Sequence, residues 1–382
     1  MFDKKYMSRA ISLAKRGTGK TSPNPLVGAV IVKDSEIIGE GWHRCYGAKH
    51  AEREALDMVY AAGKSPIGAD LYCTLEPCCF TSPEKHQPPC TGLIIESGIK
   101  RVVIANLDPN PKVNGRGKRM LEEAGIIVQS GLLAAEGEKL NEGFFTFQRL
   151  GRPFVRLKIA QTIDGRIAAA GDSALSNEKR ITDEAARRLV HRMRSRHDAV
   201  LIGRGTALAD DPELTVRLCA GPNPLRVLLD SKLSLPDSSR LLALPDREKT
   251  LILCSEKAKP RRIDKIRNMG AEVVQIEGGL SLKAALAALA ERGVRSILVE
   301  GGGAVFTSFL KEGLWDRFTV FIAPIVLGEG ISAVKDLGIR AVKDALRLYD
   351  VSIKTIGDQA LIEGSRRPHH TTEETTHVHR DH

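Results

Sequence analysis

The stretch from residue 50 to 105 opens on His50-Ala51-Glu52 and carries Leu71-Tyr72-Cys73-Thr74-Leu75-Glu76-Pro77-Cys78. It passes Pro88-Pro89-Cys90 and closes on Arg101-Val102-Val103-Ile104-Ala105. The short apolar runs Leu71–Leu75 and Arg101–Ala105 have the length and composition of buried strands. Around them the pattern predicts helices at about His50–Ala62 and Thr91–Ser97, the second stopped by Gly98. Strands alternating with helices make a layered α/β domain.

Working outward, the pattern predicts a helix over 3–16 and two strands, Leu26–Val32 and Glu36–Gly41, about the turn Lys33-Asp34-Ser35. A helix at Gly117–Ala124 and a strand at Ile126–Gln129 extend the sheet, and Phe147–Pro153 reads as a junction. The alternation then restarts. Strands are expected at Phe154–Ile159, Ala199–Ile202, Leu225–Leu229, Thr250–Cys254, Ser296–Glu300 and Phe318–Ile322. Helices are expected at Asp183–Ser195, 281–291 and Ala304–Glu312, and Asp164-Gly165 reads as a hairpin turn. The chain has 382 residues, more than the roughly 250–300 that one core sustains. Two domains are expected, 1–147 and 152–364, each with its own chemistry. The polar tail 365–382 holds five of the ten histidines and is expected to be disordered.

Within the first domain, His50, Cys78 and Cys90 supply one imidazole and two thiolates. Three such ligands leave a tetrahedral zinc one position for water, whose pKa falls to about 7. Glu52, two positions past His50, suits a proton shuttle on the same helical turn. Taken singly, a cysteine or a helix-start histidine is ordinary core. Together, His-Ala-Glu followed by two Pro-Cys steps points to a zinc deaminase, although its cysteines are spaced further apart than P-C-x-x-C.

Bulk properties agree. With 42% apolar and 27% charged residues and no run long enough to span a membrane, a membrane partner is not expected. No secretory leader pattern opens the chain, so a cytoplasmic location is expected. Four of the seven cysteines crowd into residues 73–90, which favours metal over disulfides. The net charge of +10 is spread over the long chain, and its densest cluster is Arg187, Arg188, Arg192, Arg194 and Arg196 on one predicted helix. With only 4% aromatics to stack bases, a small phosphorylated ligand explains that cluster better than nucleic acid. A homo-oligomer is expected.

Over residues 1–364 the chain resembles the bifunctional riboflavin biosynthesis deaminase-reductases. The motifs are Thr21-Ser-Pro-Asn-Pro-Leu-Val-Gly, Gly41-Trp-His, His50-Ala-Glu, Thr74-Leu-Glu-Pro-Cys, Pro88-Pro-Cys and Asp108-Pro-Asn-Pro-Lys-Val-Asn-Gly-Arg-Gly. Past the junction come Lys158-Ile-Ala-Gln-Thr-Ile-Asp-Gly-Arg-Ile-Ala, Ile202-Gly-Arg-Gly-Thr, Ala209-Asp-Asp-Pro-Glu-Leu-Thr-Val-Arg and Val299-Glu-Gly-Gly-Gly. The resemblance implies a cytidine-deaminase-like three-layer domain followed by a dihydrofolate-reductase-like α/β domain. It implies Zn2+ on His50, Cys78 and Cys90, Glu52 as the catalytic proton donor, and Asn24, His43, Asp108 and Asn110 around the pyrimidine, with Cys79 a bystander.

For the second domain it implies NADPH against Ala160, Thr206, Asp210, Ser231 and the turn Gly302, Gly303, Ala304, Val305, Phe306, Thr307 and Ser308. Substrate contacts fall on Ser173, Arg194, Leu214, Arg217 and Glu300, the two arginines suiting a ribose phosphate. Lys85 and His86 lie in a loop longer than the family's, and residues 171–182 are also longer and lack the family's tryptophan before Ile181-Thr182. The implied reaction removes an amino group from a diaminopyrimidinone ribosylamine phosphate and then reduces its ribosyl to ribityl. The alternative is a nucleic-acid or nucleoside deaminase with a degenerate second domain.

Overall fold

The structure is a computed structural model and describes residues 2–81, 87–170 and 181–367. In the first domain α1 (Phe2–Ala14) precedes a hairpin of β1 (Gly28–Lys33) and β2 (Glu36–Trp42). Then follow α2 (Ala51–Ala61), β3 (Asp70–Leu75), α3 (Cys90–Glu96), β4 (Arg101–Asn106), α4 (Arg116–Glu123) and β5 (Ile127–Ser130). The hairpin turns at Asp34 and Ser35, both at positive φ (49° and 66°), the backbone a tight two-residue turn requires.

The five strands order as β2-β1-β3-β4-β5; β1 runs antiparallel to β2 and β3, while β3, β4 and β5 are parallel. Alternating side chains make three layers. Val30, Val32, Tyr72 and Val103 meet Tyr6, Met7 and Ala10 of α1 on one face. Ala29, Ile31, Leu71 and Ile104 meet α2, α3 and α4 on the other. Each Val, Leu or Ile among them removed from water stabilises by about 1.5–3 kcal/mol.

The expected strand Leu26–Val32 begins two residues late. The Asn141 carboxamide takes the place of a strand partner for Leu26, accepting from its N–H at 2.8 Å and donating to its carbonyl at 2.9 Å. The expected junction is largely helical. After α5 (Ala134–Leu140), α6 (Glu142–Leu150) runs through Phe147, and Gly151 ends it at φ 64°.

The second sheet uses β6 (Phe154–Thr162), β8 (Ala199–Gly203), β9 (Leu225–Leu229), β10 (Thr250–Ser255), β11 (Glu272–Ile276), β12 (Ser296–Val299), β13 (Arg317–Ala323), β15 (Tyr349–Ile356) and β16 (Gln359–Ser365). Its order is β11-β10-β9-β8-β12-β6-β13-β16-β15, parallel through β13 and antiparallel beyond. Helices α7 (Glu184–Arg194), α8 (Arg204–Asp210), α9 (Arg240–Ala243), α10 (Pro260–Asn268), α11 (Leu282–Glu291) and α12 (Gly303–Glu312) connect and cover it. One face packs Leu201, Leu251, Ile297 and Val299 on α11 and α12, and the other packs Ile202, Leu228 and Ile252 on α10.

Asp164-Gly165 does form a turn, but not a hairpin back onto β6. Instead β7 (Arg166–Ala169) pairs with β14 (Gly330–Ser332) in a separate arm, anchored where the Asp164 carboxylate accepts from the N–H groups of Leu327 and Gly328. The tail beyond residue 367, including the histidines, lies outside the described residues. Among the described residues no helix is long and apolar enough to cross a membrane.

Candidate functional site

Helix α2 sits on β2 because β2 carries glycine where the helix crosses it. A Cβ on Gly41 would lie 2.1 Å from the Ala51 carbonyl oxygen. This contact sets the start of the helix against the sheet. His50 is its extended N-cap residue (φ −70°, ψ 159°), and Glu52 is buried in its first turn. Cys78 follows β3, and Cys90, 1% exposed, begins α3.

The three predicted ligands come together. His50 Nδ1 lies 3.3 Å from Cys90 Sγ and 3.5 Å from Cys78 Sγ, and all three donor atoms fall within 4.8 Å of one another. Bonds of about 2.0 Å to nitrogen and 2.3 Å to sulfur at a tetrahedral centre separate N and S by about 3.5 Å. The donor set and spacing therefore fit zinc. Cys79 faces elsewhere, its Sγ 3.8 Å from the Lys112 carbonyl oxygen. Burial raises the Glu52 carboxyl above its ordinary pKa.

Beside this cluster a cavity of about 460 Å³ is lined by Asn24, His43, Glu52, Asp108 and Asn110 among others. Burial lowers the His43 pKa, so the ring is neutral at pH 7. Its Nδ1–H donates to the Lys49 carbonyl at 3.1 Å. The Nε2 lone pair then accepts from Asn24 Nδ2 at 3.2 Å, which turns the Asn24 amide in a fixed sense. Asp108 is 8% exposed, and burial pushes its pKa up to about 7. Its Oδ1 accepts from the Asn110 N–H at 2.8 Å.

Sequence reasoning overlooked Glu76. Its carboxylate accepts from the N–H groups of Asp108 at 3.1 Å, Gly115 at 2.9 Å and Lys118 at 3.0 Å. A single buried side chain thus folds the Asp108–Gly115 loop and caps α4. The signal was present in Thr74-Leu-Glu-Pro-Cys, where an acid stands between a strand end and a ligand.

In the second domain, most of the predicted residues follow the carboxyl ends of four adjacent parallel strands, β9, β8, β12 and β6, where ligands bind in open α/β sheets. Thr206 Oγ1 accepts from the Gly302 N–H at 2.8 Å. This joins the turn after β8 to the start of α12, whose first amides, at Gly303 and Ala304, point off its own ladder. Asp210 ends α8 and Ser231 follows β9, both exposed, and Ala160 lies on β6. Those helix-start amides fit a phosphate of NADPH.

Val305, Phe306 and Thr307 of the predicted set face inward, while Ser308 is exposed. The Phe306 side chain belongs to the core, and Thr307 Oγ1 donates to the Gly303 carbonyl at 2.5 Å. Ser308 Oγ donates to Ala304, and Val305 packs against the core. Leu214 is 3% exposed at φ 55° with its side chain in the core, so only its backbone can meet a ligand. Ser173, Lys85 and His86 lie outside the described residues.

Arg194 and Glu300 meet each other: Nε and Nη2 donate to the two carboxylate oxygens at 2.6 and 3.1 Å, and Nη1 donates to the Thr215 carbonyl at 3.0 Å. Lys158 Nζ lies 3.2 Å from Glu300 Oε2. Burial opposes ionisation of Glu300, yet the two cations hold its pKa down at about 2. Lys158 stood in a quoted motif but was not singled out from sequence. Arg217, more exposed, pairs with Glu213.

Comparison with known proteins follows the same division. Residues 1–106 match the cytidine and deoxycytidylate deaminase zinc-binding region, and residues 153–362 match the RibD C-terminal domain. Riboflavin biosynthesis protein RibD of Aquifex aeolicus (strain VF5) is 42% identical over 361 residues, 94% of this chain and 97% of that one. Its counterpart in Bacillus amyloliquefaciens is 44% identical over 357 residues, 92% of this chain and 93% of its own length.

Among solved structures, Acinetobacter baumannii RibD is similar with a TM-score of 0.83 at 34% identity, over 95% of this chain and 98% of that one. A Thermotoga maritima diaminohydroxyphosphoribosylaminopyrimidine deaminase/5-amino-6-(5-phosphoribosylamino)uracil reductase is similar with a TM-score of 0.79 at 39% identity and the same coverage. Identity of this level along nearly the whole chain leaves one conclusion: the chain belongs to the riboflavin biosynthesis protein RibD family.

Proposed function

We propose that residues 1–147 hydrolyse the exocyclic amino group of a diaminopyrimidinone ribosylamine 5′-phosphate, and that residues 152–364 then reduce the ribosyl group to ribityl with NADPH. The observation that carries the first step is the convergence of His50, Cys78 and Cys90 beside Glu52. Zinc held by those three residues supplies a Lewis acid that makes water reactive at neutral pH, with a pKa of about 7.

Glu52 takes a proton from the attacking water and returns it to the departing nitrogen, so that a C–O bond forms, a C–N bond breaks and ammonia leaves. Its raised pKa suits both halves of that transfer. Asn24, oriented by neutral His43, and the Asp108–Asn110 turn hold the edge of the pyrimidine.

In the second domain NADPH supplies hydride to the sugar carbon that bears nitrogen. Lys158, held against Glu300, is the acid in this cluster and provides the proton for the ring oxygen as the sugar opens. Arg217 is the arginine left to meet the phosphate.

Purified protein incubated with the ribosylamine phosphate, with and without NADPH, tests the proposal by product mass. Deaminated ribosyl product without NADPH, and ribityl product with it, are expected. Ammonia release without NADPH oxidation would reduce the function to deamination, and neither product would refute it.

A further inference from the structure

The wall of the deaminase cavity is not made by the first domain alone. Phe144 and Gln148 of α6 line it, and so does Arg295, which precedes β12 in the second sheet. Arg295 also borders a second cavity of about 810 Å³ between the two domains, which shares Pro23, Asn24, Pro25 and Phe144 with the first.

The Arg295 guanidinium lies over the Phe147 ring, 4.4 Å from its centroid. Its Nε and Nη1 are buried without a hydrogen-bond partner. The nearby carboxylate does not serve them: Asp198 Oδ2 accepts from the N–H groups of Arg295 and Ser296, both at 2.9 Å, and from Ser296 Oγ at 3.0 Å. A half-buried guanidinium with two buried donors unmet is costly, and a ring face offsets only part of that cost. An oxyanion in the cavity offsets the rest when the guanidinium turns toward it.

The adjoining cavity favours an anion. Lys15, Lys139, Arg156 and Arg196 line the adjoining cavity, and of its acids Glu142 is engaged with Arg156 and Arg317. The deaminase cavity itself holds the acids Glu52, Glu76 and Asp108, of which Glu76 is taken up by backbone N–H groups, and the exposed Lys112.

Building on the deaminase reading above, we propose that Arg295, carried by the second domain, binds the substrate phosphate in the deaminase cavity and sets that site's preference for a phosphorylated pyrimidine. Arg295 is then a specificity residue and takes no part in proton transfer. The fused second domain completes the first domain's site.

The test uses the full chain and compares ammonia release from the ribosylamine phosphate with release from its dephosphorylated counterpart. Arg295→Met keeps an apolar stem on Phe147, and its thermal melting is compared with wild type to verify folding. A rise in KM of about 10- to 100-fold is expected for the phosphorylated substrate, corresponding to one buried charge-assisted contact. The dephosphorylated substrate, and NADPH oxidation with the deaminated intermediate, should be unchanged. Arg295→Lys should recover part of the loss.

An unchanged KM in Arg295→Met, an equal loss with both substrates, or a phosphate preference lost in Lys112→Met instead would each overturn the proposal. If wild type deaminates neither substrate, the deaminase reading itself falls. That outcome is distinct from wild-type activity that Arg295→Met leaves intact.

Discussion

Glu300 holds Arg194 with both carboxylate oxygens, at 2.6 and 3.1 Å, deep enough that neither side chain has more than about an eighth of its surface in water. The pair was expected to be two independent substrate contacts. Instead the guanidinium fork is filled from within the protein, and Glu300 is left to orient Lys158.

Arg194 and Arg217 should therefore fail differently. Arg194→Ala leaves Glu300 buried without its main partner and should destabilise the fold by about 3–5 kcal/mol, read by urea unfolding. Arg217→Ala should leave stability within about 0.5 kcal/mol and raise KM for the deaminated intermediate. The reverse pattern would return the phosphate to Arg194.

Glu300→Gln should slow NADPH oxidation, because a neutral amide no longer holds the Lys158 ammonium in place, while ammonia release continues. Loss of about 10²-fold or more is expected if Lys158 delivers a proton. Lys158→Met should match it. Full activity in Lys158→Met would remove that residue from the reduction.

Glu52→Gln should retain zinc and lose about 10²- to 10⁴-fold in ammonia release, since the amide fills the same buried space but carries no proton. In the same preparation, NADPH oxidation with the deaminated intermediate should persist. Cys78→Ser and Cys90→Ser should each lower zinc content sharply and Cys79→Ser should not, as measured by elemental analysis. Loss of metal in Cys79→Ser alone would reverse the assignment.

What could be read from sequence was what local pattern controls. His50, Cys78 and Cys90 are spread over 41 residues, yet strand and helix periodicity place two of them at helix starts and one at a strand end, which brings them together. Glu76 escaped because its role is to accept from backbone N–H groups up to 42 residues away, which no side-chain pattern records. Arg194–Glu300 and Arg295 escaped for a related reason: they depend on which elements become neighbours across the sheet and between domains. Leu214 and Phe306 were expected among the ligand contacts, but their side chains lie in the core, a direction that follows from packing.

The last prediction concerns acid stability. Burial, followed by the charges of Arg194 and Arg217, holds the His191 pKa at about 4, and its Nδ1 accepts from the Arg217 N–H at 3.0 Å. Burial and then Arg156 hold His197 at about 4 as well. Both values lie below the ordinary histidine pKa of about 6.5. Between those limits the unfolded chain binds more protons than the folded one, so stability falls as pH drops from about 6.5 toward 4, with a slope of up to about 1.4 kcal/mol per pH unit for each histidine. Above that window both rings are neutral in either state and contribute nothing. Asp108, raised to about 7, acts in the opposite sense, so the measurement is a difference: urea unfolding of wild type against His191→Gln and His197→Gln at pH 7.5, 6.0 and 5.0. The wild type should lose stability relative to each variant as pH falls. Parallel curves would mean that these rings take up protons as readily in the folded protein as in the unfolded chain.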